Sequence, residues 1–273
     1  MIRCKPLLGT FVEIAIDQDD GQKAIESAFL AIEKIQNLMG FHNPKSELSQ
    51  INHRAHKEAI EIHPWTAQVI QIAKEIHLAS GGLFNCGIGH RLVAAGLLPK
   101  HITFSNHEFG GIEDAQFLAP DLIQSSRPVC LDLGGIAKGF AVDMAVRVLK
   151  SEGVQSGVVN AGGDLRVFGS TSRPIQIRNP LSPQELIQIG SLENGAIATS
   201  GLYFAKRDQQ ESYLINPLAK TSSEVHTEVT GSFSIYAKEC VYADALTKVL
   251  ALSNDDYHPC FAKFSAQAIR IAA

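Results

Sequence analysis

Two glycine pairs, Gly134-Gly135 and Gly162-Gly163, bracket one helix-period run, and this arrangement constrains the chain more than any other feature. Between the pairs, Ala137, Ala141, Met144, Ala145, Val148 and Leu149 recur at helical spacing and give a helix with one apolar face. Residues 129–133, ahead of the first pair, have the apolar character of a short strand, and Gly157-Val158-Val159 reads as a buried run ahead of the second. The pattern predicts strand, glycine turn, helix, strand and glycine turn over 130–168. A glycine turn at a helix start suits a phosphate. Without Cβ atoms the ligand can approach the backbone, and unpaired N–H groups of the first turn point at the anion. Lys138 adds a positive charge to that turn. The same pattern also serves as a plain tight strand-to-helix connection, and its spacing is neither a dinucleotide fingerprint nor a P-loop. Asp132 is open to two roles, ligand contact or helix cap.

The remaining elements follow from periodicity and breakers. Thr10 to Ile16 alternates as a strand. Asp19 or Asp20 can cap a helix whose inward face is Ile25, Ala28, Ile32, Ile35 and Met39, ending near Gly40. Pro64 opens a second helix, with Val69, Ile72, Ala73, Ile76 and Ala79 inward and Gly81-Gly82 as its stop. Residues 83–128 read as irregular structure with short strands. Strands are predicted at 174–178, 187–191, 195–199, 212–215 and 232–237, and a last helix beginning near Tyr242 carries Ala245, Leu246, Val249 and Leu250. Helices and strands mix without regular βα alternation, which argues an α+β fold of mixed, largely antiparallel sheets flanked by helices. No linker separates the chain, so residues 1–273 are expected to form a single domain, or two intimate lobes around one cleft.

Charge and cysteine usage exclude several classes. The net charge is −4 with no basic stripe, which argues against a nucleic-acid partner. The five cysteines are scattered and odd in number, so they make neither a disulfide framework nor a zinc site. Cys86 alone lies near candidate site residues. The ten histidines include no HExxH and no close pair at metal spacing. No apolar run reaches the roughly 18 residues of a membrane span.

The stretch DLGGIAKGFAVD followed by VNAGGDLRVFG resembles the FAD:protein FMN transferase family, often called ApbE. Further blocks in the same order carry the resemblance across nearly the whole chain. They are Leu7-Leu8-Gly9-Thr10-Phe11-Val12-Glu13-Ile14, Ser46-Glu47-Leu48-Ser49-Gln50-Ile51-Asn52, Ser80-Gly81-Gly82-Leu83-Phe84-Asn85, Ala198-Thr199-Ser200-Gly201 and Ala243-Asp244-Ala245-Leu246-Thr247. The resemblance implies a transferase that moves FMN from FAD to a Thr or Ser of a partner flavoprotein, with release of AMP. It implies Mg²⁺ beside the pyrophosphate. It gives Leu8, His42, Leu83, Phe84, Asn85, Asp132, Lys138, Gly162, Gly163 and Ser200 flavin-nucleotide contacts, and it gives Gly135, Asp244 and Thr247 metal contacts. For Leu8 and Phe84 the alternative is plain core packing. Met1-Ile2-Arg3-Cys4-Lys5-Pro6 leads into the first block without a signal peptide. The chain as written is therefore expected in the cytoplasm, or in the periplasm if a leader was removed.

Several positions depart from the family pattern. Lys248 stands four residues after Asp244, where the family has a Thr ligand, and Thr247 points about 100° away on a helix. The Asp244/Lys248 pair reads either as a surface i,i+4 ion pair or as an ammonium placed where the metal charge would sit. Tyr213 replaces a family histidine and Asn216 a family aspartate. A phenol, with a reference pKa of about 10, is a poor base at neutral pH. Tyr213 and Asp244 are the catalytic candidates. Because these departures strike groups tied to the chemistry, whether the chain is an enzyme stays open. A catalytically degenerate FAD-binding protein and an FAD pyrophosphatase releasing FMN and AMP remain as alternatives.

Overall fold

The computed structural model describes residues 1–101, 108–182, 184–201, 213–219, 226–228 and 231–271, with the side chains of 213 and 226–228 outside that description. Strands β1 (Ile2–Leu7) and β2 (Thr10–Ile16) form a hairpin, followed by α1 (Gln22–Met39), α2 (Glu47–Arg54), β3 (Ile60–Glu61) and α3 (Pro64–Ala79). The short α4 (Gly89–Ala94) and the hairpin β4 (Ala115–Ala119) and β5 (Leu122–Ser125) precede α5 (Ala137–Ser151). Then come β6 (Gly157–Ala161), β7 (Asp164–Phe168), β8 (Arg173–Arg178), β9 (Leu186–Leu192) and β10 (Gly195–Gly201). β11 (Tyr213–Ile215) pairs with β12 (His226–Glu228), and β13 (Ser232–Ala237), α6 (Cys240–Ser253), α7 (Pro259–Lys263) and β14 (Gln267–Ile271) follow.

Seven strands build the main sheet in the order β1-β2-β6-β7-β10-β13-β14, and every neighbouring pair is antiparallel. The fold is α+β, as the irregular mixing of elements predicts. Alternation turns Val12, Ile14 and Ile16 of β2 inward, where they are buried under helices. α5 packs between α1 and α6, and α6 lies over β10 and β13. The predicted inward residues of α1 are all buried, as are Ala245, Leu246, Val249 and Leu250 of α6. On the opposite sheet face, Val167 and Ile197 join Ile175, Ile177 and Leu192 of the β8–β9 hairpin in a smaller apolar cluster.

Three local expectations are corrected. First, α1 begins after Gly21 with no side-chain cap, so neither Asp19 nor Asp20 caps it. Second, α6, expected from near Tyr242, starts two residues earlier at Cys240, where Asp143 of α5 accepts the backbone N–H groups of Cys240 and Val241 at 2.9 and 2.8 Å. A carboxylate from another helix thus supplies the N-terminal cap. Third, residues 129–133 are extended and mostly buried but form no strand. Their backbone is satisfied piecemeal. Asn52 accepts from Leu131 N–H at 2.7 Å and donates to its carbonyl at 2.9 Å, while the Cys130 carbonyl accepts from Gly89 and Asp132 N–H donates to Cys86. A side-chain amide thus reproduces one rung of a ladder for a segment whose apolar burial is that of a strand.

Candidate functional site

The chain between Asp132 and Gly139 turns from the buried 129–133 segment into α5 at one end of the sheet. The predicted open anion cradle is corrected here, because most of its donors are already taken. Gly134 N–H donates to Asp132 Oδ1 at 3.2 Å, and the Ile136 and Ala137 N–H groups donate to the Leu133 carbonyl. Asp132 therefore braces its own turn and does not cap the helix. Gly139 N–H donates to Asp244 Oδ2 at 3.0 Å. The anion at the α5 N-terminus is the protein's own carboxylate, placed where the helix dipole favours it.

Asp244 is fully buried and is the centre of a four-charge cluster. Its Oδ2 lies 3.7 Å from Lys138 Nζ, and Lys138 also donates to Asp164 at the start of β7. Lys248 Nζ donates to Asp244 Oδ1 and, at 2.9 Å, to the Asp244 carbonyl. The reading of Asp244/Lys248 as a surface ion pair is thus overturned. Two carboxylates and two ammonium groups cancel, which makes burial of the charges affordable. Burial pushes the Asp244 carboxyl up, but Lys138 and Lys248 outweigh it and hold it below the usual carboxylate value. Burial and the neighbouring Asp244 carboxylate push Asp164 up, against the pull of Lys138. Burial works against the Lys138 ammonium, yet Asp164 and Asp244 keep its pKa above that of an ordinary lysine.

In front of this cluster lies a cleft of about 160 Å³. Leu83, Phe84, Asn85, Asp132 and Gly135, all predicted contacts, line it together with Lys248, Leu214 and Pro217. Phe84 both lines the cleft and belongs to the core. Burial pushes the Asp132 carboxyl up, opposed by the Gly134 N–H and by the charges of His42 and Lys248. Asn85 accepts from the N–H groups of Gly87 and Ile112 and so fixes the wall. Cys86 is buried beside it, and desolvation raises its thiol far above the ordinary value, which removes it as a nucleophile.

Other predicted residues lie apart from the cleft lining. Leu8 and Gly9 form the two-residue β1–β2 turn with φ of 56° and 72°, and Gly162 and Gly163 form the β6–β7 turn with φ of 66° and 103°. The turns are neighbours, since a Cβ on Gly162 would come within 2.5 Å of Thr10 Oγ1. Leu8 in left-handed backbone costs about 1–2 kcal/mol. Its N–H donates to Gln36 Oε1 at 2.6 Å. Ser200 Oγ lies 2.8 Å from Thr247 Oγ1, and the Thr247 hydroxyl donates to the Asp244 carbonyl at 2.7 Å. Tyr213 is held in β11 opposite Glu228, and its side chain lies outside the described residues.

Of the oxygens named for Mg²⁺, those of Asp244 and Thr247 are engaged within the protein, which leaves the Gly135 carbonyl beside the cleft. Asp244 Oδ1 and the Asp244 carbonyl both accept from Lys248, Oδ2 accepts from Gly139, and Thr247 is buried and spent. Among the described residues no group of three His, Cys, Asp or Glu side chains could hold a metal.

Four contributors escaped sequence reasoning. Asp164 follows the second glycine pair directly, and that position is the signal that could have found it. Asn52 and Asp143 act on backbone that is 79 or more residues away, without a local signature. Arg91 donates to the carbonyls of Asn216, Pro217 and Ala219 at 3.1–3.3 Å and so holds one wall of the cleft.

A seven-stranded antiparallel sheet with helices α1, α5 and α6 packed on it defines an α+β protein. A family model described as the ApbE family matches residues 8–269, and the chain belongs to that family. An FAD:protein FMN transferase of Vibrio cholerae is 26% identical, over 92% of this chain and 80% of that protein. Another, of Chlamydia muridarum, is 27% identical over 84% of this chain and 74% of that protein. The solved structure of the flavin transferase ApbE from Vibrio cholerae is similar with a TM-score of 0.81 at 21% identity, covering 100% of this chain and 93% of that one. The ApbE protein from Thermotoga maritima gives a TM-score of 0.80 at 23% identity, covering 100% and 94%. No helix among the described residues is long and apolar enough to cross a membrane.

Proposed function

We propose that this chain transfers FMN from FAD to a Thr or Ser hydroxyl of a partner flavoprotein and releases AMP. Family membership across residues 8–269 supports the reaction class. The observation that carries the reading at atomic scale is the convergence of Leu83, Phe84, Asn85, Asp132, Gly135 and Lys248 on one cleft. Leu83, Phe84 and Leu214 offer apolar cover to a planar ring, and Lys248, with Lys138 behind it, offers positive charge to a pyrophosphate.

The transfer forms a bond between the acceptor oxygen and the FMN phosphorus and breaks the bond from that phosphorus to the bridging oxygen, which leaves with AMP. The hydroxyl must lose a proton as it attacks. Asp132 is the carboxyl in the cleft whose burial raises its affinity for that proton. Asp244, with both carboxylate oxygens taken, is assigned to holding Lys138 and Lys248 in place. Lysines fixed before the substrate arrives stabilise the charge that grows on the leaving phosphate without reorganisation. Tyr213 remains a proposed participant at the mouth of β11.

The test is chromatographic. FAD is incubated with the chain and a flavoprotein domain carrying an exposed Thr motif. AMP released in equal amount to flavin attached to the acceptor supports transfer. AMP with free FMN and no attached flavin would instead mean that water is the acceptor, and intact FAD throughout would sink the transfer reading.

A further inference from the structure

We propose that the Lys248 ammonium is the resident cation of this site, occupying the oxygens that a divalent metal would need, so that FAD is held without a metal ion. The inference rests on the flavin reading above for its ligand, though not for its metal chemistry.

The argument begins with the oxygens. A hard divalent ion takes carboxylate and carbonyl oxygens and, for Mg²⁺, demands near-octahedral ligands at about 2.0–2.1 Å. Lys248 takes one oxygen of each kind from the same residue, Asp244 Oδ1 and the Asp244 carbonyl. An ion on these oxygens would meet the ammonium at contact distance. The neighbouring Thr247 does not replace what Lys248 uses: it is buried outside the cleft lining, with its hydroxyl donating to the Asp244 carbonyl and lying 2.8 Å from Ser200 Oγ.

The lysine is also placed. Its stem lies on the glycine turn, where a Cβ at Gly135 would be 3.4 Å from Lys248 Cε. An ammonium has three donors. Asp244 uses two, and the partly exposed group also lines the cleft with Asp132 and Gly135, which leaves the third for a ligand oxygen. Finally, the charges balance. Asp164, Asp244, Lys138 and Lys248 sum to zero, so the free protein has no net negative charge in this cluster to draw a divalent ion.

Two measurements on the full chain test this. Mn²⁺ alone is titrated into the protein and followed by electron paramagnetic resonance. FAD affinity is measured by flavin fluorescence in excess Mg²⁺ and in EDTA. The wild type is expected to show no saturable Mn²⁺ site and equal FAD affinity in both buffers. Lys248→Thr is expected to gain one Mn²⁺ per chain and to bind FAD roughly tenfold or more tightly with Mg²⁺ than with EDTA. A saturable Mn²⁺ site in the wild type that Asp244→Asn abolishes would overturn the proposal, as would an Mg²⁺-dependent gain in wild-type FAD affinity. The wild-type results decide the matter if Lys248→Thr fails to fold. Failure to bind FAD in either buffer would count against the flavin reading, while the Mn²⁺ titration still decides the cation.

Discussion

At the scale of single residues, Asp132 and Lys138 show opposite balances of burial and charge. The Asp132 carboxyl is raised above its unfolded value, burial being the main cause. For an acid shifted in this direction, the folded state holds the proton more tightly than the unfolded state does. Its contribution to stability is therefore greatest below the unfolded pKa, near 3.8, and declines as pH rises towards the raised folded value. Asp132→Asn removes that decline while keeping an oxygen for the Gly134 N–H. The variant is expected to gain stability over the wild type as pH rises above about 4, and to lose FAD transfer. Thermal melts across pH check the sign; an Asn variant less stable than wild type at neutral pH would refute it. Lys138 works the other way, since it stabilises two buried carboxylates. Lys138→Met leaves Asp164 and Asp244 facing each other with Lys248 alone to compensate, and is expected to cost about 3–5 kcal/mol in urea unfolding.

At the scale of elements, the junction of α5 and α6 places the charged cluster. A Cβ on Gly139 would lie 2.3 Å from the Cys240 carbonyl oxygen and 2.8 Å from Asp244 Cβ, so this glycine lets the helices meet. Helix propensity alone predicts that Gly139→Ala stabilises by about 1 kcal/mol. The packing predicts a loss of about 1–3 kcal/mol, and denaturant midpoints distinguish the two by sign. Asp143→Ala removes the cap of α6 and leaves Arg166, its partner at 2.6 Å, without that carboxylate. A loss of about 3–5 kcal/mol is expected, with α6 the first element to exchange its amides. These junctions also mark where sequence reading stops. The inward faces of α1, α5 and α6, and the strands near 174–178 and 232–237, were legible because one face of each meets the core and leaves its period in the sequence. The residues of the cleft wall were legible through the family blocks. The 129–133 segment was misread because its apolar burial is that of a strand, while its hydrogen bonds come from Asn52 and from isolated backbone groups. The fate of the α5 N–H groups was equally hidden. Nothing near Gly139 shows that a carboxylate 105 residues later accepts from it.

At the scale of the molecule, the cleft is assembled from segments that are distant in sequence. Phe84 follows α3, Asp132 leads into α5, Pro217 hangs from Arg91, and Lys248 belongs to α6. A ligand that contacts all of them ties α3, α5 and α6 together, and its binding energy adds to the global stability when the unfolded chain lacks the site. By mass action, FAD at about one hundred times its dissociation constant contributes about 2.7 kcal/mol. For a chain of this size that corresponds to a rise of roughly 5–8 °C in melting temperature. FMN and AMP, each reaching only part of the site, should raise it less at the same concentration. Because the four charges at Asp244 already compensate one another, EDTA should leave the melting temperature of the free protein and the FAD-induced rise unchanged. Differential scanning fluorimetry with FAD, FMN or AMP, each with and without EDTA, measures all of these quantities in one plate. A melting temperature that falls on chelation would mean that a metal contributes to the fold and would oppose the charge balance found at Asp244. An equal rise with FMN and FAD would confine recognition to the flavin half of the nucleotide and take the AMP half out of the cleft.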